Sequence, residues 1–152
     1  MNYFNEMVVL LKQESKTREE ALEILSNKLL DKKIVKNDFF KHVLQREKNF
    51  PTGLVMGDVG IAIPHTDSEY VCHSQIAFMS LKEPIVFYEM GSVDKEVKVQ
   101  LIFMLALKEA HEQLTMLQKL IETLQRKEVL EQLLKVETSD EFVRIISDNQ
   151  LG

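Results

Sequence analysis

The chain has 152 residues, a formal charge of −5 and an apolar fraction of 45%, enough for one domain with a sizeable core. Lysines and glutamates are interleaved, with no basic stripe to neutralise a phosphate backbone, which argues against nucleic acid as a partner. A single cysteine, Cys72, excludes an internal disulfide and a multi-cysteine metal cluster and agrees with a reducing compartment.

Taken in order, Met1 to Glu6 lacks the basic start and small-residue cleavage site of a secretory leader. The short apolar segment Met7 to Leu11 reads as a first strand. Thr17-Arg18-Glu19-Glu20 is a capping-box pattern, and Ala21, Leu22, Leu25, Leu29 and Leu30 behind it form a helical apolar stripe. A second helix is expected from Asn37 or Asp38 through Phe39, Phe40, Val43 and Leu44 to about Lys48, with Arg46 near its end. His42 lies one turn before Arg46 on the same side and reads as a solvated or locally bonded histidine.

Ile61 to Ile63 is a β-prone run entered from Gly60 and stopped by Pro64. Proline cannot donate to a ladder and fixes its own φ, so the chain must leave the sheet there, and His65 is expected on a rigid, partly exposed turn. Ile76–Leu81 and Ile85–Phe87 read as a hairpin around Lys82-Glu83-Pro84. Val97 to Leu101 alternates and then becomes continuously apolar to Leu107, as a strand at the centre of a doubly covered sheet would. That run, the longest apolar one, is far too short to span a bilayer, so the expected location is cytoplasmic. Three helical faces follow, Leu114 to Leu124, Val129 to Leu134 and Phe142 to Ile146, the last behind the capping-box pattern Thr138-Ser139-Asp140-Glu141. Strands interspersed with helices favour a mixed sheet with helices on both faces. The methionines from Met7 onward are scattered and read as core filler, and Cys72-His73 as an incidental pair.

Ile61-Ala62-Ile63-Pro64-His65, preceded by Arg46-Glu47 and Pro51-Thr52, resembles the active-site segment of the mannitol/fructose-type enzyme IIA components of the bacterial phosphoenolpyruvate-dependent sugar phosphotransferase system. The segments Ile85 to Gly91, Leu101 to Leu107 and Gln113 to Leu117 resemble the galactitol-specific branch. The resemblance covers nearly the whole chain. It implies one domain over residues 1–152 with an α/β fold, a mixed, roughly five-stranded β-sheet with helices on both faces in a three-layer sandwich. It also implies that His65 is transiently phosphorylated on Nε2. In the mannitol and fructose branches a second histidine directly precedes a Leu-x-x-Leu run. Here Gln113 precedes Leu114 and His111 lies two positions upstream, so both are candidates for that supporting role.

The residues suit this chemistry. A phosphoryl carrier needs a nucleophile that is neutral near pH 7 and forms a labile bond, as histidine does. Arg46 is the arginine of the matched motif, and its planar fork suits phosphate oxygens. Asp67 and Glu69 are expected to raise the histidine's pKa, which Arg46 would offset, and to attract a basic partner. No Gly-rich phosphate loop or carboxylate cluster for magnesium is present, so ATP is not the expected donor and no cofactor is expected. The resemblance implies a phosphotransferase component that receives its phosphoryl group from the histidine-containing phosphocarrier protein. It would pass the group to a cysteine of a cognate enzyme IIB, for galactitol-like sugar uptake, touching the membrane only indirectly through enzyme IIC. The competing readings are a regulatory IIA-like protein whose phosphorylation state controls a partner, and a binding domain on the same fold with an inert His65.

Overall fold

The computed structural model describes residues 2–152; Met1, part of the N-terminal reading above, lies outside the described residues. Five strands, β1 (Val9–Gln13), β2 (Gly53–Met56), β3 (Val59–Ala62), β4 (Gln75–Tyr88) and β5 (Glu96–Ala106), form one sheet in the order β1-β4-β5-β3-β2. β4 runs antiparallel to β5 and β2 to β3, whereas β1 with β4 and β3 with β5 are parallel, so the sheet is mixed.

Alternation along the central strands creates two cores. Ala77, Met79, Val97, Val99, Ile102 and Met104 face one side, where helices α1 (Arg18–Asp31) and α2 (Phe39–Asn49) bury Leu22, Leu25, Leu29, Phe39 and Val43. Ile76, Phe78, Leu101, Phe103 and Leu105 face the other, covered by Met116, Leu120, Leu133 and Phe142 of α3 (Ala110–Leu124), α4 (Lys127–Lys135) and α5 (Ser139–Asp148). β5 therefore runs through the middle of a three-layer α/β sandwich, and its uninterrupted apolar run reflects burial on both faces. The helix starts follow their caps: Thr17 Oγ1 accepts from the Glu20 N–H at 3.2 Å and Thr138 Oγ1 from the Glu141 N–H at 3.1 Å.

Three sequence expectations need correction. Ile76–Leu81 and Ile85–Phe87 are not two arms of a hairpin but halves of one long strand, β4, both antiparallel to β5. Ser80 faces Leu101 and Ile85 faces Val99, so the residues between them stand against Gln100 alone in a bulge. The Gln100 Nε2 donates to the Leu81 carbonyl across it, at 3.3 Å. β1 reaches only as far as Leu81, so Pro84 sits where no neighbour on that side requires its missing N–H. The first strand also begins later than expected, at Val9, because Met7 takes a left-handed φ of 57° in a turn closed by its N–H on the Phe4 carbonyl. Met7 is accordingly exposed and Met90 half-buried, so neither is core filler.

A hairpin that the sequence reading did not expect lies in the stretch before His65. β2 and β3 pair from Gly53↔Ala62 to Met56↔Val59 around Gly57-Asp58, with Gly57 at a φ of 62°. At Gly60 the backbone of β5 comes so close that a Cβ would stand 1.9 Å from the Lys98 carbonyl oxygen.

Candidate functional site

β3 ends at Ala62, and the next residues carry His65 out of the sheet between two anchors. On one side the Leu105 N–H of the central strand donates to the Pro64 carbonyl at 2.9 Å. On the other, the β2–β3 ladder stops at Gly53↔Ala62, and the Ile63 N–H donates instead to the Thr52 hydroxyl at 3.1 Å. His65 is thus a half-buried side chain on a turn held from both flanks.

Its Nδ1 lies 2.9 Å from the Ile63 carbonyl oxygen. A carbonyl only accepts, so Nδ1 carries the proton and Nε2 is left with a free lone pair. Burial pushes the imidazole pKa down, the Ile63 hydrogen bond opposes this, the nearby Arg46 charge lowers it further, and Asp67 raises it; the net shift is downward. The carboxylates after His65 therefore do not dominate its titration, because both are exposed while the ring is not. At pH 7 the ring is neutral and nucleophilic.

Arg46, in the last turn of α2, reaches over the loop after His65, with its Nη1 3.8 Å from Asp67 Oδ1 and its guanidinium 5.5 Å from the exposed Phe50 ring. One turn earlier, His42 stacks on Tyr70 at 3.9 Å, and the Lys36 N–H donates to the Tyr70 carbonyl at 2.9 Å. The 3₁₀ turn Ser68–Tyr70 is thereby fastened to the α2 side of the molecule.

The two candidates on α3 separate. Gln113 Nε2 donates to the Thr66 carbonyl at 2.9 Å, one residue from His65. His111 stands exposed in the first helical turn, next to Glu112. Glu112 sets that geometry: it accepts from the Tyr3 hydroxyl at 2.7 Å, the Ser74 hydroxyl at 2.9 Å and the Glu109 N–H at 3.2 Å. Burial pushes the Glu112 carboxyl up, but these hydrogen bonds outweigh it and hold the group below its ordinary pKa. Away from the site, His73 pairs with Glu6, and Cys72 is exposed beside it.

The sequence places Glu47 in the motif beside Arg46 without indicating a role for it. Its side chain is 1% exposed, and its two carboxylate oxygens accept from the Thr52 N–H and the Thr52 hydroxyl, each at 2.8 Å. Burial raises its pKa to about 7, against the opposing pull of the two Thr52 hydrogen bonds and the Arg18 charge. The available signal was its spacing: Phe39, Val43 and Glu47 lie on one helical stripe, so the carboxylate occupies a core position.

An imidazole with its Nδ1 bonded to a backbone carbonyl, a guanidinium above its loop and an amide donor beside it thus converge at one end of the parallel pair β3 and β5. Among curated proteins, the transcriptional regulator ManR of Bacillus subtilis is 37% identical over 124 residues, 82% of this chain but only 17% of that protein's length. The galactitol-specific EIIA component of Escherichia coli K12 is 27% identical over 137 residues, 87% of this chain and 89% of that one. The mannitol IIA of Escherichia coli has the same fold, solved alone (25% identity, TM-score 0.75, 91% of this chain and 94% of that one) and in complex with phosphorylated mannitol IIB (24%, 0.74, 92% and 94%). The family model for phosphoenolpyruvate-dependent sugar phosphotransferase system EIIA 2 matches residues 2–149, and the chain belongs to that family.

Proposed function

We propose that this protein is a phosphoryl carrier in which His65 Nε2 is the acceptor. The observation that carries this reading is the Nδ1–H bond to the Ile63 carbonyl, which frees Nε2 as the nucleophile. The Nε2 lone pair attacks phosphorus of a donor phosphohistidine whose other ring nitrogen is protonated. The donor P–N bond breaks, its electrons return to the donor ring, and that ring leaves neutral. The His65 ring becomes a phosphoimidazolium that keeps its Nδ1 proton, so no net proton moves. Arg46 and Gln113 support the transfer, the first by pairing with the equatorial oxygens and the second by holding the Thr66 carbonyl. His111 is left as a secondary candidate. Onward transfer to a cysteine thiolate of an enzyme IIB reverses the electron flow at Nε2 and forms a P–S bond, for uptake of a galactitol-like sugar.

The similarity to ManR favours one alternative, a module whose phosphorylation state controls a partner protein. Incubation with phosphoenolpyruvate, enzyme I and the histidine-containing phosphocarrier should label the wild type with acid-labile phosphate, and His65→Ala should abolish the label. Label retained in His65→Ala refutes the assignment. Chasing the labelled protein with a cognate IIB separates the roles, since label moving to the IIB cysteine supports transport and label staying on His65 supports regulation.

A further inference from the structure

We propose that Thr52, clamped by the buried Glu47, is a positioning residue that sets the tautomer and the aim of His65. The inference rests on the reading of His65 as the phosphoryl acceptor. A continuous hydrogen-bonded path links the three side chains. Glu47 takes both the N–H and the O–H of Thr52, each at 2.8 Å. With its proton committed to Glu47, the Thr52 oxygen can only accept from the outer side, and it accepts the Ile63 N–H at 3.1 Å. The Ile63 carbonyl in turn receives His65 Nδ1–H at 2.9 Å.

Ile63 is the residue through which this path becomes rigid. It precedes Pro64, whose ring confines it to extended backbone, so pinning its N–H leaves its carbonyl little freedom of direction. The Pro64 carbonyl is fixed separately by the Leu105 N–H. The Ile63 oxygen is therefore presented to Nδ1 in one place, and the ring is held with Nε2 outward.

A purely structural role would not require these residue types. Glu47 occupies the third position of a stripe whose other members are Phe39 and Val43, where an apolar side chain would close the core without burying a carboxylate. A threonine at the end of the β2–β3 ladder is likewise unnecessary for pairing, since the backbone ladder already ends at Gly53↔Ala62. The hydroxyl supplies an acceptor for the next N–H, that of the residue whose carbonyl holds the histidine.

The test compares wild type, Thr52→Val and Thr52→Ser as full chains at pH 8. Nitrogen chemical shifts of the His65 ring report the tautomer, and single-turnover transfer from the phosphorylated phosphocarrier is followed against its concentration. Wild type and Thr52→Ser are expected to hold the Nδ1–H form. Thr52→Val should show a mixture of tautomers and a maximal transfer rate lower by about tenfold or more, with the half-saturating concentration unchanged. Wild-type ring shifts in Thr52→Val, or equal impairment in the serine and valine variants, overturns the proposal. Should the valine variant not fold, Thr52→Ala removes the hydroxyl without adding a methyl group and carries the same comparison. The ring shifts need no phosphoryl donor. A wild type that takes no label therefore overturns the phosphocarrier reading, while the tautomer comparison still decides this one.

Discussion

Replacing Glu47 by glutamine should change how stability depends on pH more than it changes stability itself. Folding raises the Glu47 pKa from 4.5 to about 7, chiefly because burial disfavours the charged form. Between those values the folded chain keeps a proton that the unfolded chain has released, so stability falls as pH rises. The contribution is fully present below about pH 4.5 and is lost by the time pH has passed about 7. A shift of about 2.5 units, 7 − 4.5, at about 1.36 kcal/mol per unit amounts to about 3 kcal/mol in all. Of this, about 2.5 kcal/mol falls between pH 5 and pH 8. Glutamine is isosteric and does not titrate; its oxygen can accept the Thr52 N–H and its amide can donate to the Thr52 hydroxyl. Urea unfolding of both proteins at unit pH intervals gives the difference directly, because every other titrating group is common to the two. The Glu47→Gln variant should gain on the wild type by about 2.5 kcal/mol from pH 5 to pH 8, or about 5–10 °C in Tm for a chain of this size. Parallel stability profiles would refute the reasoning and mean that Arg18 and the Thr52 donors compensate the burial in full.

Three further outcomes are expected. Arg46→Ala should slow transfer onto His65 about 100-fold while costing under about 1 kcal/mol of stability, since its ion pair with Asp67 is solvent-exposed; rapid-quench rates and a thermal melt on one preparation check both. Gln113→Ala should slow transfer about fivefold, the worth of one hydrogen bond of about 1 kcal/mol, and Gln113→His should recover part of the loss; equal rates in all three would remove Gln113 from the site. Gly60→Ala should destabilise by about 3 kcal/mol or more in chemical denaturation, because its Cβ would stand 1.9 Å from the Lys98 carbonyl oxygen of the neighbouring strand and one of the two backbones must move.

Much of the molecule was legible in the sequence where the controlling interactions are local. Thr17 and Thr138 bond to N–H groups three residues on, and the apolar stripes repeat within a few turns, so the starts of α1 and α5 and most of the buried faces could be read without the fold, although Leu114 and Val143 of the expected faces stand exposed. The turn at His65 was legible for the same reason, since Pro64 ends the ladder by its own covalent structure. The central place of β5 followed from its continuous apolar run.

What the tertiary structure decided are the cases in which one local signal admits two outcomes. Lys82-Glu83-Pro84 can close a hairpin or form a bulge. The choice fell to the bulge because β5 accepts both halves of β4, and Gln100 reaches across to Leu81. Gln113 and His111 lie within one helical turn of each other, and the contacts of Glu112 with Tyr3 and Ser74, far apart in sequence, determine that Gln113 meets the loop. The direction of the His65 pKa shift is likewise non-local: the Ile63 hydrogen bond and Asp67, close to it in sequence, pull upward, but burial and Arg46 pull downward and prevail. Glu47 makes the division clearest. Its position on the stripe with Phe39 and Val43 is written in the sequence, but that a carboxylate can lie buried there depends on Thr52 arriving from the following strand segment with two donors. Periodicity reports which face of an element turns inward; whether a polar group can survive on that face depends on what the rest of the chain brings to meet it.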